Sequence, residues 1–213
     1  MSQILTILFG VGILYLALTS RMRTYIQVIA LQGFILFLLI VRDFGHIDWF
    51  TFFFLAFETL AFKTIIVPVM LWRIVERTHV AREADPNIPQ FGSIVIGTIV
   101  FLSGFAVTDW VSRTDPSVDA LAFGIAVSTL IIAFFIILSR KKLITQVMGY
   151  MLMQNAVALL MIAMAVELPL LVNLGVLLDI FTLMFLFLLF LGKLHSTYEE
   201  TSREKLTSLR DQP

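Results

Sequence analysis

The chain returns again and again to apolar stretches close to twenty residues long, several of them carrying at most one charge. Coiled as a helix rising 1.5 Å per residue, such a stretch crosses a hydrocarbon core about 30 Å thick. A backbone placed there must satisfy its own hydrogen bonds, which leaves the helix as the natural spanning unit for runs of this length. The composition agrees. Hydrophobic residues make up 59% of the 213 positions, twenty of them Phe, and the mean hydropathy is +0.96, whereas soluble domains are about 45–50% apolar. The expected class is therefore all-α: a polytopic transmembrane helical bundle.

Seven spans are expected, at about Gln3–Thr19, Thr24–Val41, Trp49–Val75, Gly92–Val111, Asp119–Leu138, Leu143–Val166 and Leu168–Leu194. The first apolar stretch has no basic n-region and no small-residue cleavage site, so it reads as a retained helix. Connections are short except for Glu76–Phe91, a polar loop with two prolines, and the charged tail His195–Pro213 reads as a surface helix. The chain divides into an N-terminal three-span unit (1–75), the loop and fourth span (76–118), a second three-span module (119–194) and the tail (195–213).

Fifteen basic residues balance fifteen acidic ones, so net charge does not select partners, and nothing in the pattern points to nucleic acid. The distribution is more informative. With the N-terminus outside, the cytoplasmic segments hold Arg21 and Arg23, then Arg73, Arg77 and Arg82, then the turn Arg140-Lys141-Lys142, then the basic residues of the tail. Twelve basic residues fall inside and only Arg42 and Arg113 outside, which is a clear positive-inside bias. It gives an expected orientation with the C-terminus cytoplasmic, and the expected location is the cytoplasmic (inner) membrane.

The turns "SRMRTYIQVIAL" from Ser20 and "SRKKLITQVMGY" from Ser139 match at Ser, Arg, Gln and Val. Each follows one span, begins a second and precedes a third that carries an acid, Glu58 in one case and Asp179 in the other. Spans one to three thus read as a degenerate copy of spans five to seven, and the odd number of helices between them makes the copies parallel. Chance likeness of two basic turns is the alternative.

Charges inside spans are costly, roughly 2.5–3.5 kcal/mol each at a helix centre. Glu58, Lys63 and Asp179 stand out, accompanied by Gln27, Gln32, Gln154 and Asn155. Glu58 and Lys63 are five apart, which on an α-helix means roughly 140° round the axis and ~7.5 Å along it. They are therefore expected to find partners on other helices or another chain. Acids and a base at comparable depth point to a proton or ion path, with static interhelical bonds as the alternative. Pro68, one turn beyond Lys63, breaks a backbone bond near Thr64, and Gly149 permits close packing of the sixth span. Cysteine is absent and the three His residues are scattered, so no thiolate site, Fe–S cluster or haem is expected in this chain and redox chemistry is left to others.

"SRKKLITQVMGYMLMQNAVALL" with "LGVLLDIFTLMFLFLLF" resembles the K-type small subunit of respiratory complex I. The longer chain, with "FKTIIVPVML" ahead of that module, resembles the membrane component E of hydrogenase-4-type complexes. The resemblance implies a non-catalytic membrane subunit of a redox-driven ion-translocating complex. Antiporter-like membrane subunits would be its partners, lipid its surroundings, and Fe–S clusters, with Ni-Fe in some assemblies, would lie in partner subunits. It also places Lys63 at the family's intramembrane lysine and Asp179 at the second acid, while Gln154 stands where the family typically carries Glu. A structural spacer, or a subunit of a cation/proton antiporter without redox partners, are the alternative readings.

Overall fold

The computed structural model describes residues 2–19, 21–42, 49–77, 90–140 and 142–164, and these are overwhelmingly helical. Helix α1 covers Ser2–Leu18 and α2 covers Met22–Arg42. A continuous rod follows, made of α3 (Trp49–Phe57), a π-helical segment (Glu58–Ile66) and α4 (Val67–Arg77). Then come α5 (Gln90–Thr114), α6 (Ala120–Ser139) and α7 (Leu143–Met164). The α2, α5, α6 and α7 helices and the Leu55–Glu76 rod are each long and apolar enough to cross a membrane, five in all. At 17 residues, α1 is at the short end of the spanning range. The expected span Leu168–Leu194 and the tail His195–Pro213 lie outside the described residues.

Four helices form the centre. The first half of α2 (Met22, Tyr25, Ile29) shares an apolar cluster with Val147, Met148 and Leu152 of α7. Its second half (Ile35, Leu39) clusters with Leu159 and Ala163. The two helices therefore run in the same direction. So do α1 and α6: Phe9 packs in the cluster of Ile125, and Ile13 and Leu16 in that of Ile132 and Ile136. The described bundle thus contains two parallel pairs, α1 with α6 and α2 with α7. The matched glutamines differ in setting, however. Gln27 is exposed, whereas Gln146 is half-buried and its Nε2 donates to the Arg140 carbonyl at 3.0 Å.

Small residues set the closest crossing. A Cβ on Gly104 of α5 would stand 2.8 Å from the Gly124 carbonyl and collide with Ser128 Oγ, and one on Gly124 of α6 would collide with Thr108 Oγ1 and the Gly104 carbonyl. Thr108 and Ser128 turn their hydroxyls back onto the carbonyls of Gly104 and Gly124, at 3.0 and 2.9 Å. Both helices thus present a small-xxx-small face, the pattern that lets backbones touch inside a membrane. Gly149 does the same for α7 against α6, where a Cβ would lie 2.9 Å from Ile137 and 3.1 Å from Ile136. At the far end Asp119 caps α6 by accepting from the Ala122 N–H at 3.2 Å, and its own N–H donates to Ala163 at 2.8 Å. The outward faces are apolar: Phe91, Ile99, Leu102 and Trp110 on α5 and Phe134 and Leu138 on α6 are each more than half exposed, as lipid- or subunit-facing residues are.

The contact between α5 and α6 predicts that Gly124→Ala destabilises the bundle by about 1–3 kcal/mol. Thermal unfolding of the detergent-solubilised protein measures it, and an unchanged melting temperature would mean that the two backbones do not approach this closely.

Candidate functional site

The intramembrane acid and base lie on the same rod and face each other. Lys63 Nζ is 3.1 Å from Glu58 Oε1, with both side chains nearly enclosed, 11% and 13% exposed. The contact is an ion pair more than an aligned hydrogen bond. The expectation that each charge needs a partner beyond its own helix is thereby corrected. Its error was the assumption of α geometry. From Glu58 to Ile66 the backbone is π-helical, bonding each N–H to the carbonyl five residues back. In such a turn residue i+5 takes the place that i+4 holds in an α-helix, so a five-residue spacing becomes an ion-pair spacing.

Local residues sustain the widened turn. Thr64 Oγ1 donates to the Thr59 carbonyl, five residues back, at 2.9 Å. Thr59 Oγ1 donates to Leu55 O in the preceding turn. At the far end the Val67 N–H reaches Phe62 O, again five back. Pro68 follows directly: it has no N–H to offer, and its ring crowds the carbonyl four residues behind, so the ordinary α ladder cannot continue through this point.

Helix α2 is what the site leans on. The π segment packs across it at Gly33, where a Cβ would come within 3.0 Å of the Lys63 carbonyl carbon and 3.1 Å of Lys63 Cβ. One residue earlier, fully buried Gln32 points the other way, its Nε2 donating to Phe9 O of α1 at 3.3 Å. Towards α7, the Ile29 carbonyl accepts from Asn155 Nδ2 at 3.5 Å, a long bond. Thus Lys63, Gln32 and Asn155 all converge on the middle of α2. Gln154 is buried beside them in sequence, and its Nε2 has no hydrogen-bond partner among the described residues; nor has Gln32 Oε1. A buried orphan of this kind costs about 1–3 kcal/mol if nothing meets it, so both amides suit a site that takes up water or a neighbouring polar group. Gln27 is on an exposed face and does not join the group. Asp179 lies outside the described residues.

A second polar centre occupies one end of the bundle. Buried Arg140 donates from Nη2 to the Tyr25 hydroxyl at 3.2 Å, and that hydroxyl donates to Leu16 O at 3.4 Å. Arg23 lies over the Trp72 ring, 5.3 Å from its centroid, and Trp72 Nε1 donates to Glu76 at 2.7 Å. The basic turns before α2 and α7 and the end of α4 therefore share one face. Arg42, at the other end of α2, and Arg113, paired with exposed Asp109 at 2.9 Å, lie at the opposite one. Lys142 is half-buried at the first face and Lys141 lies outside the described residues. Gly33, Tyr25 and the π turn are the features that sequence reasoning missed. The π turn alone had a signal, the repeated five-residue spacing of Glu58/Lys63 and Thr59/Thr64.

Fold and site together define a multi-span helical membrane protein with an acid–base pair enclosed in one span. Comparison with known proteins gives this class a direction. The chain is 29% identical over 153 residues to an uncharacterized protein of Mycobacterium tuberculosis, covering 71% of this chain and 70% of that one. It is also a distant relative of hydrogenase-4 component E, 26% identical to the Escherichia coli protein over 157 residues, 70% of this chain and 68% of that one. The Shigella flexneri component E matches to the same extent. No family model matches the chain, and no solved structure matches it.

Breaking one partner of an enclosed pair leaves an uncompensated charge. Glu58→Gln or Lys63→Met alone should therefore destabilise the protein by roughly 3–5 kcal/mol, and the double variant by clearly less than either. Additive losses in a double-mutant unfolding cycle would show that the two charges do not act as a pair.

Proposed function

We propose that this chain is an integral membrane subunit of a hydrogenase-4-like or complex I-like redox-driven complex, in which it forms part of the membrane-arm proton path. The observation that carries this reading is the enclosed Glu58–Lys63 pair at 3.1 Å inside a span. An intramembrane acid–base pair is expensive to keep and marks proton and ion pathways far more often than lipid-facing structure. The distant relationship to hydrogenase-4 component E supports the choice of complex.

In this reading Lys63 holds and releases a proton against Glu58. Gln32, Asn155 and the orphaned amide of Gln154 line the route towards α7, and Asp179 continues it on the last span. Gln154 can hydrogen-bond and order water but cannot ionise, so it supports the path without carrying charge. The chain itself performs no redox step. Fe–S clusters, and Ni-Fe where the complex is a hydrogenase, belong to partner subunits, and antiporter-like membrane subunits cover its apolar faces. In this reading the chain crosses the membrane seven times, with the N-terminus outside and the basic turn Arg140-Lys141-Lys142 and the tail at the cytoplasmic face. Residues 119–194 form the K-type module, and 1–75 its degenerate parallel copy.

Copurification from native membranes followed by proton uptake in proteoliposomes tests the proposal. Lys63→Met keeps most of the side-chain volume, and where the variant complex assembles, turnover-linked proton uptake should fall at least tenfold while electron transfer by the partners persists. Asp179→Asn should act likewise, and Gln154→Glu should be tolerated. A chain that purifies alone, or full coupling in both Lys63→Met and Asp179→Asn, would contradict the proposal and favour a structural spacer.

A further inference from the structure

The π segment comes close to α2 where Gly33 faces Lys63, the residue that carries the base. A Cβ built on Gly33 would stand 3.0 Å from the Lys63 carbonyl carbon, 3.1 Å from Lys63 Cβ and 3.1 Å from Lys63 O. Two of these three atoms are backbone, and Cβ is anchored directly to it, so no flexible side-chain end can swing aside. Gly33 is the only glycine of α2, and a glycine inside a helix is less favourable than alanine unless the position needs its emptiness. A π turn takes more residues per turn than an α turn and pushes its backbone outwards. Here the outward push is received by the one position on α2 without a side chain.

We propose that Gly33 is a positioning residue for the Glu58–Lys63 pair: the empty place on α2 admits the widened turn, and the widened turn holds acid and base in the i,i+5 register at which they meet. The three features stand or fall together. Narrowing the segment to an α turn draws Lys63 back from Gly33 and swings Glu58 and Lys63 roughly 140° apart. A side chain at position 33 presses the segment in the same direction. Thr64, bonded to the carbonyl five residues back, resists the change, while Pro68 withholds the donor that would help complete an α ladder. The atoms nearest a Cβ at Gly33 are the Lys63 backbone and Cβ, so the effect of Gly33 is exerted through the register of the turn. What the held pair does for proton movement rests on the function proposed above; the positioning itself does not.

The relation is testable as a cycle. Removing Ala61 takes one residue from the π segment, which returns it to α geometry and leaves Glu58 and the lysine four apart, still paired. Four proteins in their native membrane assembly are compared: the natural chain, Gly33→Ala, the Ala61 deletion and the combination. One readout is the melting temperature. The other is the infrared carboxylate band of Glu58, assigned by its loss in Glu58→Gln. Gly33→Ala alone should lower the melting temperature and shift the band, and in the Ala61-deleted chain it should change neither further. Should Gly33→Ala prevent assembly, the Ala61 deletion is expected to rescue it. An unmoved Glu58 band in assembled Gly33→Ala overturns the proposal. So does a penalty for Gly33→Ala that is the same with and without Ala61, or a failure to assemble that the deletion does not relieve. None of these readouts involves transport, so a fully coupled Lys63→Met would contradict the proton-path reading and leave the positioning role standing.

Discussion

An ammonium and a carboxylate enclosed together inside one span are the constraint around which the rest of this molecule is arranged. Each alone is costly in a membrane interior. Together at 3.1 Å they neutralise one another, but only if the backbone brings residues five apart onto the same face. An α-helix does not, so the helix is π from Glu58 to Ile66. The widened turn needs space, which α2 supplies at Gly33. It also needs local support, which the hydroxyl of Thr64 provides.

From this pair the dependence runs outwards through α2. That helix touches the π segment at Gly33, α1 through Gln32 and α7 through the Ile29 carbonyl. Its near end is held by Tyr25, which links Leu16 on α1 to Arg140 before α7. A polar centre in the middle and a second at one end thus share a single rigid element. Motion of α2 against α7 or against the Trp49–Arg77 rod would therefore alter both. The peripheral contacts are of a simpler kind. The glycine crossing of α5 and α6 holds by backbone proximity and van der Waals packing, and the outer faces of both helices are apolar.

Much of the fold was legible in the sequence because apolar length reports directly on membrane crossing. Each of the six expected spans within the described residues coincides with a helix or, for Trp49–Val75, with the continuous rod. The close-packing role read for Gly149 and the disruption read at Pro68 both have structural counterparts. The pairing of Glu58 with Lys63 was not legible, since helical spacing rules presume 3.6 residues per turn and a π segment violates them. Gln32, Gln154 and Asn155 are buried, whereas Gln27, given equal standing with them on the sequence, is exposed. The direction in which an isolated polar residue points depends on which faces the neighbouring helices cover, and that information is tertiary.

An electron cryo-microscopy map of this chain within its membrane assembly is the most direct measure of the central claim. The account predicts a continuous rod through residues 49–77 that is π-helical at Glu58–Ile66. Lys63 Nζ should lie within about 4 Å of the Glu58 carboxylate, with α2 closed against the turn at Gly33. An α-helical segment with Lys63 turned away from Glu58, towards a group on another helix or another subunit, would contradict it.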